Sequence, residues 1–328
     1  MFGWSVSRRV LARLLGGFAL VAVFGLVSTA TGDKGQDARE SAEKAPLAPR
    51  SLLLDVSARD GRLVAVGERG HILVSRDGGG SWTQADVPTR ALLTGVFMLD
   101  GQLGWAVGHD EVVLRTPDGG LTWERVHYAP ENEKPLLDVW FADARRGLAV
   151  GAYGELLATR DGGTSWEARP VNGGDDFHLN QVVAARDGTL YLAAEAGHLY
   201  RSADGGETWQ VLPSPYQGSF FGVLPLSNGP LLAYGLRGHL FRSPDKGQSW
   251  ERIETGTEET LTSALELGPG RFVVAGMAGT LLWSEAGGAA VRKQELPNRK
   301  AIVALAAGDE RTVLLFGEAG ASRVEIPR

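Results

Sequence analysis

The sequence predicts an all-β fold, a seven-bladed β-propeller, on three observations. A box of the form Ser/Thr-x-Asp-x-Gly-x-Ser/Thr-Trp recurs at near-constant spacing, short apolar segments alternate with glycine-marked turns inside each period, and a shorter seventh period follows the sixth.

The box is first met at Ser75-Arg-Asp77-Gly-Gly-Gly-Ser-Trp82. It recurs around Asp118 and Trp123, Asp161 and Trp166, Asp204 and Trp209, and Asp245 and Trp250, with a worn copy over residues 284–291 that has lost both Asp and Trp. The period of about 42 residues is that of a four-stranded propeller blade. In the first period, apolar segments at 52–56, 63–67 and 71–75 are separated by turns, and an outer strand starts at Trp82. Such spacing is an all-β signature. The seventh period offers three strands, at 301–305, 313–317 and 322–326. An open sheet edge invites aggregation, so residues 42–49 are expected to supply the missing outer strand and tie the ring shut.

Composition narrows the function. The 45 glycines fall at regular positions and belong to turns. A net charge of −6 argues against a nucleic-acid partner. With no cysteine, disulfides, thiolate metal sites and cysteine nucleophiles are excluded.

Residues 1–30 read as an export signal: Arg8, Arg9 and Arg13 precede an apolar run at 14–27 and a small Ser28-Thr29-Ala30 stretch. The run is shorter than the ~20 residues of a spanning helix; the alternative is an uncleaved membrane anchor. Residues 31–49 form a polar linker and the candidate ring-closing strand, and 50–328 form the propeller. The expected location is the periplasm.

The boxes are read as structural. An Asp in a tight turn accepts backbone N–H bonds, glycines supply positive φ, and Trp packs between sheets. Copies placed one per blade cannot converge on one substrate.

Boxes this regular, with glycine turns between the second and third strands and an export signal, resemble the photosystem II stability/assembly factor family of Asp-box (BNR-repeat) propellers. That resemblance implies a non-enzymatic scaffold, acting in photosynthetic cells on the reaction-centre D1 protein, and a mode of action by docking onto a membrane-protein client from its extracytoplasmic side. Alternatives are an accessory subunit of a membrane transporter and a glycan-binding module or glycoside hydrolase of the Asp-box class. A hydrolase needs two carboxyl groups facing each other across the bond. The arginine motif of sialidases is absent, its nearest counterpart being Ala48-Pro49-Arg50. No catalytic residue, metal or cofactor is therefore expected. His71, His198 and His239 occupy one repeat position on separate blades, and His109, His127 and His178 lack metal-ligand spacing.

Strand alternation puts the boxes on one face of the disc and the variable turns and lead-in loops on the other, where binding is expected. Aligned lead-in positions read Arg50, Arg90, Glu133, Asp176, Gln217, Glu259 and Arg299. Arg50, Arg69, Arg90, Arg299 and Lys300 are thus expected to form a basic arc over blades seven, one and two that binds the partner. Glu131, Glu133, Asp175, Asp176, Glu258 and Glu259 are expected elsewhere around the rim. A monomer is expected.

Overall fold

A computed structural model describes residues 41–171, 174, 176–284, 288–308 and 312–325. The expected export signal, the first part of the expected linker, Asp175, residues 285–287 of the worn box and residue 326 lie outside the described residues. Among the described residues no helix is long and apolar enough to cross a membrane.

The strands form seven antiparallel sheets in chain order, six of four strands and one of three. The chain is therefore a seven-bladed propeller. The inner strands are Leu53–Arg59, Leu93–Met98, Leu136–Phe141, Leu179–Ala184, Phe220–Pro225, Leu261–Gly268 and Ile302–Ala307. Each pairs with a second strand buried along almost its whole length, such as Gly104–Gly108 or Leu231–Gly235. Outer strands are short and exposed, as at Glu167–Ala168.

All seven inner strands break register at the same place, after their first residue, as between Leu53 and Asp55 or Leu93 and Gly95. A bulge re-aims the side chains around it. Here it turns them toward the next blade: Thr94 Oγ1 donates to Leu136 O (2.7 Å), and Asn180 Nδ2 to Phe220 O (2.8 Å).

The apolar core is divided among the seams. Seven clusters lie one per seam, from Val64, Ile72 and Val96 between blades one and two to Leu63, Ala304 and Phe316 between seven and one. Between blades two and three, the Trp105 and Phe141 rings stack at 3.4 Å and 5°, and Trp105 Nε1 donates to Gly162 O (2.9 Å). Gly147 makes room, since a Cβ there would lie 2.5 Å from the Phe141 ring.

Each box closes on itself. In blade three, Asp161 Oδ1 accepts Thr159 Oγ1–H and Ser165 N–H (both 2.9 Å), while Oδ2 accepts the Ser165 hydroxyl (2.6 Å). Asp77, Asp118, Asp204 and Asp245 repeat the pattern. Hydroxyl hydrogen bonds from Ser81, Ser165, Thr208 and Ser249 hold Asp77, Asp161, Asp204 and Asp245 down at about 2. Trp82, Trp123, Trp166, Trp209 and Trp250 each pack into the seam with the preceding blade.

The ring closure differs from the sequence expectation. Blade seven has three strands among the described residues. Residues 42–45 run instead along the outer side of blade one: Ala42 N–H donates to Val87 O (2.9 Å), Ala45 N–H to Gln84 Oε1 (2.8 Å), and Gln84 Nε2 to Glu43 O (2.8 Å). The reason is apolar. Ala42 and Ala45 fit against the seams on either side of blade one, and Ala48 is buried at the junction of blades seven and one. The Pro49 carbonyl then accepts Ala321 N–H from blade seven (2.9 Å). Ser322 and Arg323, with Leu314 and Phe316 of blade seven and Trp82 of blade one, line a groove of about 240 Å³ at this seam.

Candidate docking face

Opposite the boxes, strands two and three of each blade are joined by a three-residue turn. In six blades its middle residue is left-handed without being glycine: Arg69, Asp110, Tyr153, Ala196, Arg237 and Ala278 have φ between 52° and 60°. The third residue is glycine at Gly70, Gly154, Gly197, Gly238, Gly279 and Gly320. Crowding adds to the backbone demand. A Cβ on Gly70 would lie 2.1 Å from Thr89 O, and one on Gly238 2.0 Å from Thr257 O. The lead-in loop of each next blade thus sits directly on the preceding turn.

This interlock sets where the predicted basic residues lie. Arg50 rests on the blade-seven turn, its Cα 2.5 Å from where a Gly320 Cβ would be. Ser51 Oγ lies 3.1 Å from His71 Nδ1, beside the turn that carries Arg69, and Thr89 packs on Gly70 of the same turn. Arg50, Arg69 and Arg90 therefore gather around the blade-one turn, and all three are exposed. Arg299 rests on the blade-six turn at Gly279, followed by exposed Lys300.

The arc is not uniformly basic. Arg90 pairs with Glu43 (3.1 Å), and Arg299 with Glu295 (3.0 Å) and Glu259 (3.9 Å). Glu259 was expected elsewhere on the rim. It meets Arg299 because lead-in loops seat one blade back, so positions a full period apart become neighbours. Arg50, Arg69 and Lys300 form the exposed positive part of the surface.

Blade two departs from the turn rule. Its third turn residue is Glu111, also left-handed (φ 50°), with only 2% exposure. Its carboxylate is bonded by His127 Nε2 (3.0 Å) and Asn132 Nδ2 (2.8 Å). It anchors the lead-in loop to blade three, which carries the short helical turn Pro130–Asn132 and an exposed Tyr128 with the Arg125 guanidinium 4.3 Å from its ring centroid. Glu111 was not singled out from the sequence, although the signal was there: it replaces a glycine present in the other six turns.

Glu131, Glu133, Asp176 and Glu258 are exposed. The repeat histidines have local roles. His198 stacks on Phe177 (4.2 Å) and His239 on Tyr216 (4.0 Å), and burial lowers the pKa of His71. Among the described residues no group of three His, Asp or Glu side chains could hold a metal ion.

A seven-bladed ring with five intact Asp boxes and a variable loop face defines a propeller scaffold of the BNR-repeat class. Within it, the sequence model of the photosynthesis system II assembly factor YCF48 family matches residues 37–132 and 129–217, and the chain belongs to that family. No curated protein sequence matches it. Among solved structures, YCF48 bound to D1 peptide superposes with a TM-score of 0.71 at 18% identity, covering 85% of this chain and 94% of that one. YCF48 from Cyanidioschyzon merolae gives 0.68 at 16% identity, covering 84% and 96%. A virginiamycin B lyase from Staphylococcus aureus gives 0.73 at 10% identity, covering 85% and 96%, so the same architecture also carries an enzyme. Fold alone does not assign activity.

Proposed function

We propose that this protein is an exported, non-enzymatic scaffold that docks on an extracytoplasmic segment of a membrane-protein client through its loop face. The observation that carries this reading is the gathering of Arg50, Arg69 and Arg90 around one turn of an otherwise acidic chain, with Lys300 one blade away. The relative bound to a D1 peptide supports a polypeptide client of that kind. The Asp-box carboxylates support the absence of catalysis, since each is already hydrogen-bonded within its own turn. The arginine-led leader at residues 1–30 supports export to the periplasm.

Exposed ion contacts contribute about 0.2–1 kcal/mol each and act on encounter rate. The charge reversals Arg50→Glu, Arg69→Glu and Lys300→Glu, made together, should therefore abolish crosslinking to the client in membranes and leave the circular dichroism spectrum unchanged. The same reversal at Arg76, Arg186 and Arg271 on the box face is the control. If the control weakens capture more than the loop-face triple, the docking surface lies on the other side of the disc. Enrichment of polysaccharide instead of a polytopic membrane protein would replace this reading with a glycan-binding one.

A further inference from the structure

Two aspartates line the axis of the ring and take no part in the docking face. Asp55 and Asp138 occupy the position just after the bulge in the inner strands of blades one and three. Asp55 Oδ2 accepts Val96 N–H from blade two (2.8 Å), and Asp138 Oδ2 accepts Val182 N–H from blade four (2.9 Å). Blade two places Gly95 between them: a Cβ there would lie 3.0 Å from Asp138 Cα, while the adjoining Val96 amide is held by Asp55. The Asp55 carboxyl and the Asp138 backbone thus meet at the Gly95–Val96 peptide, while the Asp138 carboxyl reaches on to blade four. Both side chains are half-buried on the inner strands. The belt continues with Gln181 Oε1 accepting Val223 N–H (2.8 Å) and the Tyr234 hydroxyl bonding Gln181.

Among the described residues no cation is paired with either carboxyl of this pair. The inner strands facing it, Leu93–Met98, Leu179–Ala184, Phe220–Pro225 and Ile302–Ala307, carry no charged residue, and Gly104–Gly108, Gly147–Gly151 and Thr312–Gly317 carry none either. Glu266, on the inner strand of blade six, is bonded to Ser227. Arg59 ends the strand that holds Asp55, four residues away and about 13 Å along it. Arg62 begins the second strand of blade one, and its guanidinium donates to Asp118 O and Gly119 O. The turns packed against these strands contribute Glu68 and Arg69 to blade two, and His109, Asp110 and Glu111 to blade three. Burial lowers the pKa of His109 and so favours its uncharged form.

We infer that Asp55 and Asp138 form a proton-carrying clasp across the first four blades, which tightens the ring when protonated and loosens it when both carboxyls ionise. A neutral carboxyl still accepts the amide bond that spans the seam, whereas two ionised carboxyls with no cation paired to either repel each other. Desolvation pushes Asp55 up to about 6, and desolvation together with the Asp55 charge pushes Asp138 up to about 8. A carboxyl whose folded pKa is raised stabilises the fold fully below its unfolded value near 3.8 and loses that contribution as pH rises through the folded value. The loss therefore runs from about pH 4 to about pH 8.

The test is the thermal midpoint of the full chain between about pH 5 and about pH 9, for the wild type and for Asp55→Asn and Asp138→Asn, which keep the amide acceptor and remove the titration. The wild-type midpoint should fall by several degrees relative to Asp138→Asn across that range, with a smaller difference for Asp55→Asn. Parallel curves would overturn the clasp. Should Asp138→Asn fail to fold, the carbon-13 carboxyl resonances of the wild type decide: a midpoint near or above neutrality for Asp138 supports the clasp, and one below about pH 5 refutes it.

Discussion

Glu111 offers a test of how the blade-three lead-in loop is held. In Glu111→Gly, blade two would acquire the turn that the other six blades have. Relief of the left-handed backbone should return about 1 kcal/mol. Against this, the carboxylate's bonds from His127 (3.0 Å) and Asn132 (2.8 Å) are lost. Hydrogen bonds to a charged group are worth about 1.5–3 kcal/mol each, toward the lower end here because Asn132 and part of His127 regain water. The net expectation is a destabilisation of about 1–3 kcal/mol, or a melting temperature lower by about 2–6 °C in a chain of this size. Scanning calorimetry at neutral pH measures this, and limited proteolysis should show new cleavage within residues 128–135. Glu111→Gln, which keeps one acceptor oxygen, should fall between. A glycine variant more stable than the wild type, with the loop still protected, would show that the carboxylate does not anchor it.

Two further outcomes follow from the turns and the boxes. Gly238→Ala should cost about 3 kcal/mol or more, because its Cβ meets a carbonyl at 2.0 Å; Gly205→Ala, with φ of 78° but open space around it, should cost only about 1 kcal/mol, and equal melting losses would show that φ alone sets the penalty. In acid the boxes act opposite to the axial pair: Asp77, Asp161, Asp204 and Asp245 are depressed to about 2, so their contribution is present above the unfolded value near 3.8 and lost as pH falls from about 4 to about 2. Ser165→Ala, which removes the hydroxyl bond that contributes most to the Asp161 shift, should move the acid-unfolding midpoint upward by circular dichroism, and an unmoved midpoint would deny the box that role.

The blades, their strand order and the boxes were legible in the sequence because each is set by local chemistry repeated at one period. Asp161 bonds residues two to four away, and the glycine turns are equally short-range. What crosses between blades was harder to read. The pairing of Arg299 with Glu259 and of Arg90 with Glu43 depends on loops seating one blade back, an offset that a list of aligned positions does not contain. The path of residues 42–45 was set by small apolar side chains finding seams, and a rule about open edges pointed elsewhere. The aspartates of the axis were hidden for the same reason: in one dimension Asp55 and Asp138 are two acids in separate repeats, and only the packing of blades one, two and three on each other makes them neighbours across Gly95.

The turn residues also bear on how freely the surface of such a disc can vary. Arg69, Asp110, Tyr153, Ala196, Arg237 and Ala278 share one backbone conformation, and all but the partly covered Ala278 are exposed. The glycine beside each, or Glu111 in blade two, makes the tight contact, so the neighbouring side chain carries little of the packing; only Tyr153 among them makes a ring contact, edge-on to His178. A basic, acidic, aromatic or small group is already seated on the same mount. The face is therefore a dial with six differing characters on one mount, where a side chain can be exchanged without disturbing the frame that holds it.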